Sequence, residues 1–480
     1  SMWQPELLRQ VAKLTRPGGS FSTFSVAGAV RGALVDAGFE FQKQSGFDRK
    51  GEMLVGSHAG LAAAAVTKPW FYWPQAEAVG KVAVVGGGIA GLTTAVALLE
   101  RGIEVELFEQ HGAVGQQGSG NPGGIIAPVI SADFNPASRF SIAAFELVHQ
   151  RMSGSVGDGL FHPVGQVRLA TDARQEKRLK SIADSKWYPD SLVRWVDAEE
   201  LNGITGLELG RAGLWLDRAG WIAADRWCNT LGKQLAKHAV LKTGVRVGRL
   251  QSGDGCWRLL GEAGDLLSEV TQVVLANAAD ATRLLCDCSL ELARSRGQLA
   301  YLPTTAESRN LNTLLNFGHY LLPETNGIHI VGASYSDEGG DGIDPEIQNQ
   351  LLQQAGQWFP QSVKIWRDAP VNGRVAWRAI TPDRLPLVGP VSMSSTLADN
   401  YRELHHGRRP GDYPLSSPLP GIVLNTGHGS RGLVTATLAA ELIASRVAGG
   451  LSPIDQELVE MVHPDRFELR RLRRKPPVKV

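Results

Sequence analysis

The order of apolar and polar positions predicts alternating strands and helices along most of the chain, most clearly over residues 81–110, KVAVVGGGIAGLTTAVALLERGIEVELFEQ. The all-apolar run at 82–85 is typical of a strand that is buried on both faces. Residues 89–101 continue as an apolar helix that ends at Gly102, and residues 104–108 form a second strand that ends at Glu109. The pattern therefore predicts a strand–helix–strand unit.

Glycines join the first strand to the helix in the spacing G-x-G-x-x-G. In this motif the first glycine permits a tight turn, the second lets the backbone approach a pyrophosphate, and the third lets the helix pack closely on the strand. Glu109 follows about 18 residues later, where a carboxylate binds the ribose of a dinucleotide. The unit therefore predicts FAD or NAD rather than NADP, with a chance glycine turn as the alternative. The predicted contacts are Gly86, Gly88, Ile89, Ala90, Gly91, Glu109 and Gln110.

A long loop of small residues follows the second strand, GQQGSGNPGGIIAP at 115–128. A flavin needs a second stretch of backbone donors along its pyrophosphate and ring, whereas NAD enzymes rarely place such a loop here. The loop therefore favours FAD, although a flexible surface loop has the same composition. The predicted contacts are Ser119, Gly120, Asn121, Gly123 and Gly124.

A second glycine turn lies near the C-terminus, in GIVLNTGHGSRGLVTATLAAELIASRVAGG at 421–450. Residues 422–425 predict a strand, and residues 433–447 predict a helix that ends at a glycine pair. The N-terminus of that helix would stabilise negative charge at the N1–C2 edge of a reduced flavin. Core packing of the helix is the alternative. The predicted contacts are Gly427, Gly429, Ser430, Arg431, Gly432 and Leu433.

Composition excludes some classes of protein but does not indicate a function. The 480 residues are 43% apolar and 20% charged, with a net charge of +1, so any surface that binds nucleic acid must be local. The four cysteines lack the spacing of a zinc site, and we expect reduced thiols and no bound metal. No secretory signal is recognisable in residues 1–20, so we expect a cytoplasmic protein.

Six motifs between residues 81 and 475 resemble those of the D-amino-acid-oxidase-like flavoproteins, which include glycine and sarcosine oxidases. They are VVGGGIAGL, GSGNPGG, SRGQLAYLPTT, HYLLPETNGIHIVGASY, WRAITPDRLPLVGPV and GHGSRGL. Within that family the chain resembles the oxidoreductase half of the bifunctional bacterial enzymes that modify the wobble uridine of tRNA. Residues 2–54 resemble the end of the methyltransferase half of those enzymes.

The resemblance implies an α/β protein with a discontinuous Rossmann-like FAD-binding domain and an antiparallel-sheet substrate domain, preceded by an incomplete class I methyltransferase segment. The glycine loop that would bind S-adenosylmethionine is missing, so we expect no methyl transfer by this chain. The implied division is 1–56 for the methyltransferase remnant, 57–80 for a linker, 81–154, 216–285 and 376–480 for the FAD-binding domain, and 155–215 and 286–375 for the substrate domain.

The resemblance also implies catalytic roles outside the glycine turns. Arg378 matches an arginine that grips the substrate carboxylate, and Tyr320 matches a tyrosine that covers it. The alternatives are a salt bridge for the arginine and a core aromatic for the tyrosine. His428 is expected beside the flavin edge, with a structural histidine as the alternative. Arg384 is a weaker candidate.

Three further positions concern the cofactor. The family places the backbone near Val245 against the adenine and the turn at Ala276 near the phosphates. Ala278 stands where the family leads us to expect glycine, so the contact at that point is in doubt.

The aromatic stretch PWFYWP, at 69–74, is expected to pack on the flavin domain, and stacking on nucleotides is the alternative.

The implied reaction is FAD-dependent removal of the carboxymethyl group from 5-carboxymethylaminomethyluridine, with or without a 2-thio group, at the tRNA wobble position. The products are aminomethyluridine and glyoxylate, and molecular oxygen is the expected electron acceptor. Two alternatives remain: an oxidase of free glycine, sarcosine or D-amino acids, and a non-catalytic flavin- or tRNA-binding module. Six arginines are expected to contact the phosphates of tRNA, and an ordinary solvated face is the alternative. They are Arg408, Arg409, Arg470, Arg471, Arg473 and Arg474.

Overall fold

The computed structural model describes residues 3–15, 18–46, 51–59, 68–74 and 80–474. Within these ranges it contains twenty-three strands and fourteen α-helices. The strands are β1 Ser20–Thr23, β2 Phe39–Ser45, β3 Glu52–His58, β4 Val82–Val85, β5 Val105–Glu109, β6 Gly124–Ile126, β7 Phe161–His162, β8 Gln166–Leu169, β9 Arg194–Val196, β10 Gly213–Leu216, β11 Gly220–Ile222, β12 Val240–Thr243, β13 Val247–Ser252, β14 Trp257–Gly261, β15 Leu266–Val270, β16 Gln272–Leu275, β17 Ala293–Pro303, β18 Leu314–Asn316, β19 Tyr320–Leu321, β20 Ile328–Gly332, β21 Gly373–Ile380, β22 Leu387–Pro390 and β23 Ile422–Thr426.

The α-helices connect these strands and cover their faces. They are α1 Pro5–Leu14, α2 Gly28–Asp36, α3 Ile89–Leu99, α4 Pro136–Met152, α5 Ala173–Asp184, α6 Ala198–Thr205, α7 Ala224–His238, α8 Ala281–Leu284, α9 Pro345–Gly356, α10 Val363–Asp368, α11 Ser394–Tyr401, α12 Gly432–Val447, α13 Gln456–Val462 and α14 Arg466–Arg473. In the described part of the chain, no helix is both long and apolar enough to cross a membrane.

The N-terminal segment forms a small sheet with two helices. Strand β3 pairs antiparallel with both β1 and β2, which gives the order β1-β3-β2. Helices α1 and α2 bury Leu8, Val30 and Leu34 in one apolar cluster with Phe39 and Leu54 of the sheet. The segment thus consists of a helix, a strand, a second helix and two strands, in that order.

A six-stranded sheet of order β12-β5-β4-β16-β23-β22 forms the nucleotide-binding part. Its first five strands are parallel, and β22 pairs antiparallel with β23. All residues of β4, β5, β16 and β23 are buried, as expected for parallel strands covered on both faces. Because β4 and β23 both neighbour β16, the two glycine turns that follow them open at the same edge of the sheet.

An eight-stranded sheet of order β21-β17-β20-β19-β18-β8-β10-β9 forms the second part. Its neighbours pair antiparallel, except that β8 and β18 are parallel. Two of the implied domain boundaries, at 215/216 and 375/376, fall inside strands β10 and β21, both of which belong to this sheet. Both boundaries, which the resemblance implied, therefore divide strands that hydrogen bonding keeps together.

The small sheet β6-β11-β7 lies where the two large sheets meet. A Cβ on Gly123 would lie 2.4 Å from Leu322 Cδ1, and one on Gly124 would lie 2.2 Å from Leu433 Cδ1. Leu322 follows β19 of the large sheet, and Leu433 lies in the first turn of α12. Two of the predicted cofactor residues are therefore glycines because both parts of the protein approach this strand closely.

The aromatic stretch at 69–74 packs on the C-terminal part of the chain. Trp70 is 5% exposed, and its ring meets the rings of Tyr401 and Tyr413 edge-on at 6.3 and 5.8 Å. Phe71 packs on His463 with ring centroids 5.2 Å apart. This is the arrangement that the linker interpretation expects. Residues 60–67 and 75–79 of the predicted linker lie outside the described ranges.

Candidate active site

The first glycine turn is built from backbone contacts that leave no space for side chains. Gly86 has φ 110°, a conformation that L side chains rarely adopt. A Cβ there would lie 2.6 Å from the carbonyl oxygen of Ala276, and a Cβ on Gly91 would lie 1.8 Å from the carbonyl oxygen of Gly86. A Cβ on Gly88 would come within 3.2 Å of Ser119 Oγ. The turn therefore presents bare backbone where a pyrophosphate would approach.

Two predicted side chains complete this turn. Glu109 accepts hydrogen bonds from the N–H of Gly87 at 2.6 Å and of His111 at 2.8 Å, one on each carboxylate oxygen. An ionised carboxylate accepts about four hydrogen bonds, so acceptor capacity remains for ribose hydroxyls. Ser119 Oγ accepts the Ile89 N–H at 3.0 Å, at a helix start whose other N–H groups lack intrahelical acceptors. These features fit the ribose and pyrophosphate of FAD. Gln110, the other predicted contact after this strand, is exposed.

The second glycine turn has a different construction. Gly427 and Gly429 have φ 73° and 58°, and residues 429–431 form a short 3-10 turn before α12. A Cβ on Gly432 would lie 3.5 Å from Ile89 Cγ2, so the two helix starts contact each other. Ser430 is exposed. The sequence-predicted turns are thus brought together at one edge of the core sheet.

His428 lies inside a hydrogen-bonded chain between the two helices. Its Nδ1 is 2.8 Å from Thr435 Oγ1, and its Nε2 is 2.9 Å from Asn425 Oδ1. Asn425 Nδ2 in turn donates to Thr94 Oγ1 of α3 at 2.8 Å. Burial lowers the pKa of His428 to about 4, so the imidazole is neutral at pH 7. With both ring nitrogens engaged, the geometry fits the structural alternative better than a group that exchanges protons with substrate.

The positions expected near the adenine and phosphates lie beside the first turn. The N–H of Val245 donates to the Glu109 carbonyl oxygen at 2.9 Å, and that of Ala276 donates to the Val85 carbonyl oxygen at 2.8 Å. Ala278 has φ 55°, so the alanine adopts the glycine-like conformation despite its Cβ. Its carbonyl oxygen accepts a hydrogen bond from Thr426 Oγ1 at 2.9 Å, which helps to hold this conformation.

Arg374 on β21 is a residue that sequence reasoning missed. Its Nη1 donates to Asn121 Oδ1 at 2.6 Å, and its Nη2 donates to the carbonyl oxygens of Gln116 and Gln117 at 2.8 and 2.7 Å. A Cβ on Gly120 would lie 2.9 Å from Nη2. The Gly/Ser loop is therefore held by the eight-stranded sheet rather than flexible, and no local motif in the sequence marks this arginine.

Arg378 and Tyr320 lie on strands β21 and β19 of the eight-stranded sheet, and the charge of Arg378 acts on Tyr320, so the two side chains are near each other. The Arg378 guanidinium lies 4.6 Å from the ring centroid of Tyr335 and donates to the Ser334 carbonyl oxygen at 3.2 Å. Among the described residues it forms no salt bridge. The Tyr320 hydroxyl has no hydrogen-bond partner there either, and burial raises its pKa. A guanidinium and a neutral phenol are thus left available for a carboxylate.

Strand β21 contacts the Gly/Ser loop and the second glycine turn. A Cβ on Gly118 would lie 3.3 Å from the carbonyl oxygen of Trp377, and one on Gly429 would lie 3.5 Å from Ile380 Cγ2. The strand that carries Arg378 therefore runs over the Gly/Ser loop and the second turn.

Two further arginines add positive charge to this region. Arg168 on β8 donates from Nε to Gln166 Oε1 at 3.1 Å and from Nη2 to the Pro128 carbonyl oxygen at 2.7 Å. Burial, together with the positive charges of Arg178 and Arg431, lowers its pKa to about 10. Burial also lowers the pKa of Arg431. Neither Arg168 nor Arg431 forms a salt bridge within the described ranges, so the region favours an anionic ligand.

The weaker candidate, Arg384, is exposed and has φ 59°. Its charge lowers the pKa of Arg431, so the two guanidinium groups lie near each other.

The arginines expected to contact tRNA are mostly engaged within the protein. Arg408 pairs with Glu403 at 2.6 Å, Arg470 with Asp383 at 2.8 Å, and Arg471 with Glu468. The guanidinium of Arg473 lies 5.1 Å from the Trp70 ring centroid, whereas Arg409 and Arg474 form no salt bridge among the described residues. The neighbouring Arg466 is 2% exposed and also binds Asp383, so it is structural.

Comparison with known proteins establishes the family. A family model described as FAD dependent oxidoreductase matches residues 81–446, and one described as S-adenosyl-L-methionine-dependent methyltransferase matches residues 1–59. The chain is 34% identical to the tRNA 5-methylaminomethyl-2-thiouridine biosynthesis bifunctional protein MnmC of Stutzerimonas stutzeri (strain A1501), over 98% of this chain and 72% of that protein. The same figures hold for the protein of that name from Pseudomonas putida (strain W619). The chain belongs to the MnmC family of FAD-dependent oxidoreductases.

Solved structures show the same fold at lower identity. Glycine oxidase from Geobacillus kaustophilus superposes with a TM-score of 0.65 at 20% identity, over 81% of this chain and 99% of the oxidase. Iminodiacetate oxidase from Chelativorans sp. BNC1 gives 0.62 at 20% identity, over 80% and 98%. The family membership confirms the expected cofactor, FAD, and the methyltransferase-like segment at the N-terminus.

Proposed function

We propose that this oxidoreductase removes the carboxymethyl group from 5-carboxymethylaminomethyluridine, with or without a 2-thio group, at the wobble position of tRNA. Two electrons and two protons leave the C–N unit of the glycyl group, one proton from carbon and one from nitrogen, and water then cleaves the resulting imine to glyoxylate and aminomethyluridine. The name of the relatives supports this substrate. The observation that carries the proposal is the unpaired Arg378 near Tyr320, on a strand that contacts the Gly/Ser loop and the second glycine turn.

The residues that would hold FAD are those of the two turns and the Gly/Ser loop. Glu109 would bind the ribose, the first turn of α3 would bind the pyrophosphate, and the start of α12 would face the flavin ring. Bound FAD supplies the two-electron acceptor of the reaction, and we propose molecular oxygen as its oxidant.

The chain's own contribution is to orient the substrate and to balance its charge. Arg378 would bind the glycyl carboxylate through two N–H groups, and the neutral Tyr320 hydroxyl would donate to the same group. Fixing the carboxylate in this way fixes the neighbouring CH2 group relative to the flavin. Arg168 and Arg431 would offset further negative charge, as on a nucleotide phosphate.

The decisive experiment uses tRNA that carries 5-carboxymethylaminomethyluridine and follows the modified nucleoside by mass spectrometry. We expect loss of the carboxymethyl group, with one glyoxylate and one hydrogen peroxide formed per turnover. Arg378→Ala should lower kcat/KM on the order of a hundredfold or more because the carboxylate loses its bidentate partner. Arg367→Ala, at an exposed position on α10, is the control.

Turnover of free glycine or sarcosine without turnover of the tRNA would replace this proposal with the oxidase alternative. A flavin-loaded protein that is inactive on all of these substrates would indicate a non-catalytic module.

A further inference from the structure

The helix α5 and the aromatic residues that follow it form a surface with exposed cations and an exposed aromatic ring. No step of the proposed chemistry uses this surface. Helix α5 rests on strands β9 and β10 of the eight-stranded sheet, and it buries Leu179 and Ile182. Its start is capped by Asp172, whose carboxylate accepts the Gln175 N–H at 2.8 Å. The rest of the helix surface faces solvent.

The exposed side of residues 174–186 carries five cations against two carboxylates, those of Glu176 and Asp184. In the part of the chain that the structure describes, none of the five cations forms a salt bridge, in contrast to three of the arginines near the C-terminus. All five are exposed. They are Arg174, Lys177, Arg178, Lys180 and Lys186. A cluster of this kind attracts a polyanion without first having to break an ion pair.

Beside these cations lies a stacked aromatic pair. The rings of Trp187 and Phe134 are 5.3 Å apart and 9° from parallel, and Trp187 is 57% exposed. Phe134 has φ 47°, an unusual conformation for a bulky residue, and the edge of Tyr188 packs on its ring. The protein thus holds one face of an indole toward solvent, at the cost of a strained backbone.

This surface connects to the candidate active site through one loop, residues 127–135. The Tyr188 hydroxyl donates to the Ser131 carbonyl oxygen at 2.6 Å and accepts the Ser131 N–H at 3.0 Å. Pro128 of the same loop accepts a hydrogen bond from Arg168 at 2.7 Å. The charge of Arg178 on α5 reaches Arg168 as well. The loop follows β6, which contacts the first turn of α12.

We propose that α5, Lys186 and the Trp187–Phe134 pair form the surface that binds the anticodon loop of tRNA. The cations contact phosphates, and Trp187 stacks on an unpaired base that neighbours the wobble uridine. Single-stranded RNA is recognised in this way, by positive charge along the backbone and aromatic rings under the bases. This inference rests on the proposed function, and it assigns the RNA to α5 rather than to the paired arginines of α14.

The charge contribution is tested with R174Q/R178Q, which removes two cations one helical turn apart. The matched control is K233Q/K237Q on α7, with the same spacing, the same exposure and the same change in charge. Dissociation constants for full-length tRNA carrying 5-carboxymethylaminomethyluridine are measured at several salt concentrations. We expect R174Q/R178Q to weaken binding on the order of tenfold, and to reduce the slope of log Kd against log salt by about 1.5. The control should match the wild type.

The stacking contribution is tested with Trp187→Ala and Trp187→Phe. We expect the alanine variant to lose affinity by about tenfold, and the phenylalanine variant to retain most of it. In both sets of variants KM for tRNA should rise while kcat, FAD content and the unfolding temperature stay unchanged. A general structural defect would change those last three quantities.

The outcomes distinguish a wrong assignment of the RNA-binding surface from a wrong proposed function. If the wild-type enzyme processes tRNA and R174Q/R178Q and Trp187→Ala both bind it like the control, the surface assignment is wrong and the proposed function stands. If the wild type neither binds nor processes tRNA, the proposed function is wrong, and this inference is wrong with it.

Discussion

The two glycine turns look alike in the sequence, but they are built on different physical grounds. The first excludes side chains: a Cβ at Gly91 would lie 1.8 Å from a backbone oxygen. The second needs backbone conformations that glycine adopts easily, at Gly427 and Gly429, while its last glycine, Gly432, has φ −55° and only ordinary contacts around the position of a Cβ. The first glycine turn therefore depends on space at Gly91 as well as on conformation at Gly86, whereas the second depends mainly on conformation.

Gly91→Ala tests the steric claim and has the largest expected effect. The new methyl group would collide with the Gly86 carbonyl, so α3 must move away from β4. We expect the free energy of unfolding to fall by at least about 3 kcal/mol, and the purified protein to lose FAD. Denaturant titration and the flavin absorbance of the protein measure both quantities. Normal FAD content together with normal stability would show that the turn is not as close as described.

The pH dependence of stability tests whether His428 is buried and neutral between the two helices. Its pKa is lowered from 6.5 to about 4 in the folded protein, so the unfolded chain binds a proton at a higher pH than the folded one does. Stability from this group is therefore lost as pH falls below 6.5, and the loss ends near pH 4. Between pH 7 and pH 5 the wild type should lose about 2 kcal/mol more than His428→Gln. Parallel pH dependences in the two proteins would contradict the buried, neutral imidazole.

Gly432→Ala should have the smallest effect, and it completes the comparison. Its Cβ would meet Ile89 Cγ2 at 3.5 Å and His428 Cβ at 3.6 Å, which are ordinary contact distances. We expect a change in stability within about 0.5 kcal/mol and normal FAD content. A loss comparable to that of Gly91→Ala would show that the second turn also depends on space.

The sequence was most informative where chemistry depends on neighbours along the chain. The β4–α3–β5 unit with Glu109, and the second turn with α12, were predicted from local pattern and spacing because each glycine or acid acts within one strand–turn–helix unit. His428 follows the first glycine of the second turn, and only the structure shows that both of its nitrogens are occupied.

Interactions between distant parts of the chain could not be predicted in this way. The basic runs near the C-terminus suggested free charge, yet Asp383 pairs with Arg470 across 87 positions. The cations of α5 drew no attention in the sequence, because their lack of acidic partners is visible only after folding. Pairing across the fold, rather than the number of arginines in a stretch, decides which charges remain available.

The contacts of Arg374 have a consequence for biosynthesis. This side chain fixes a loop that precedes it by 253 to 258 positions. On a ribosome, the strand–helix–strand unit emerges early, but the loop that follows it takes its final shape only after most of the polypeptide has been made. We therefore expect stable capture of the flavin to be a late event, completed when newly made C-terminal sequence folds back onto the earliest part of the oxidoreductase.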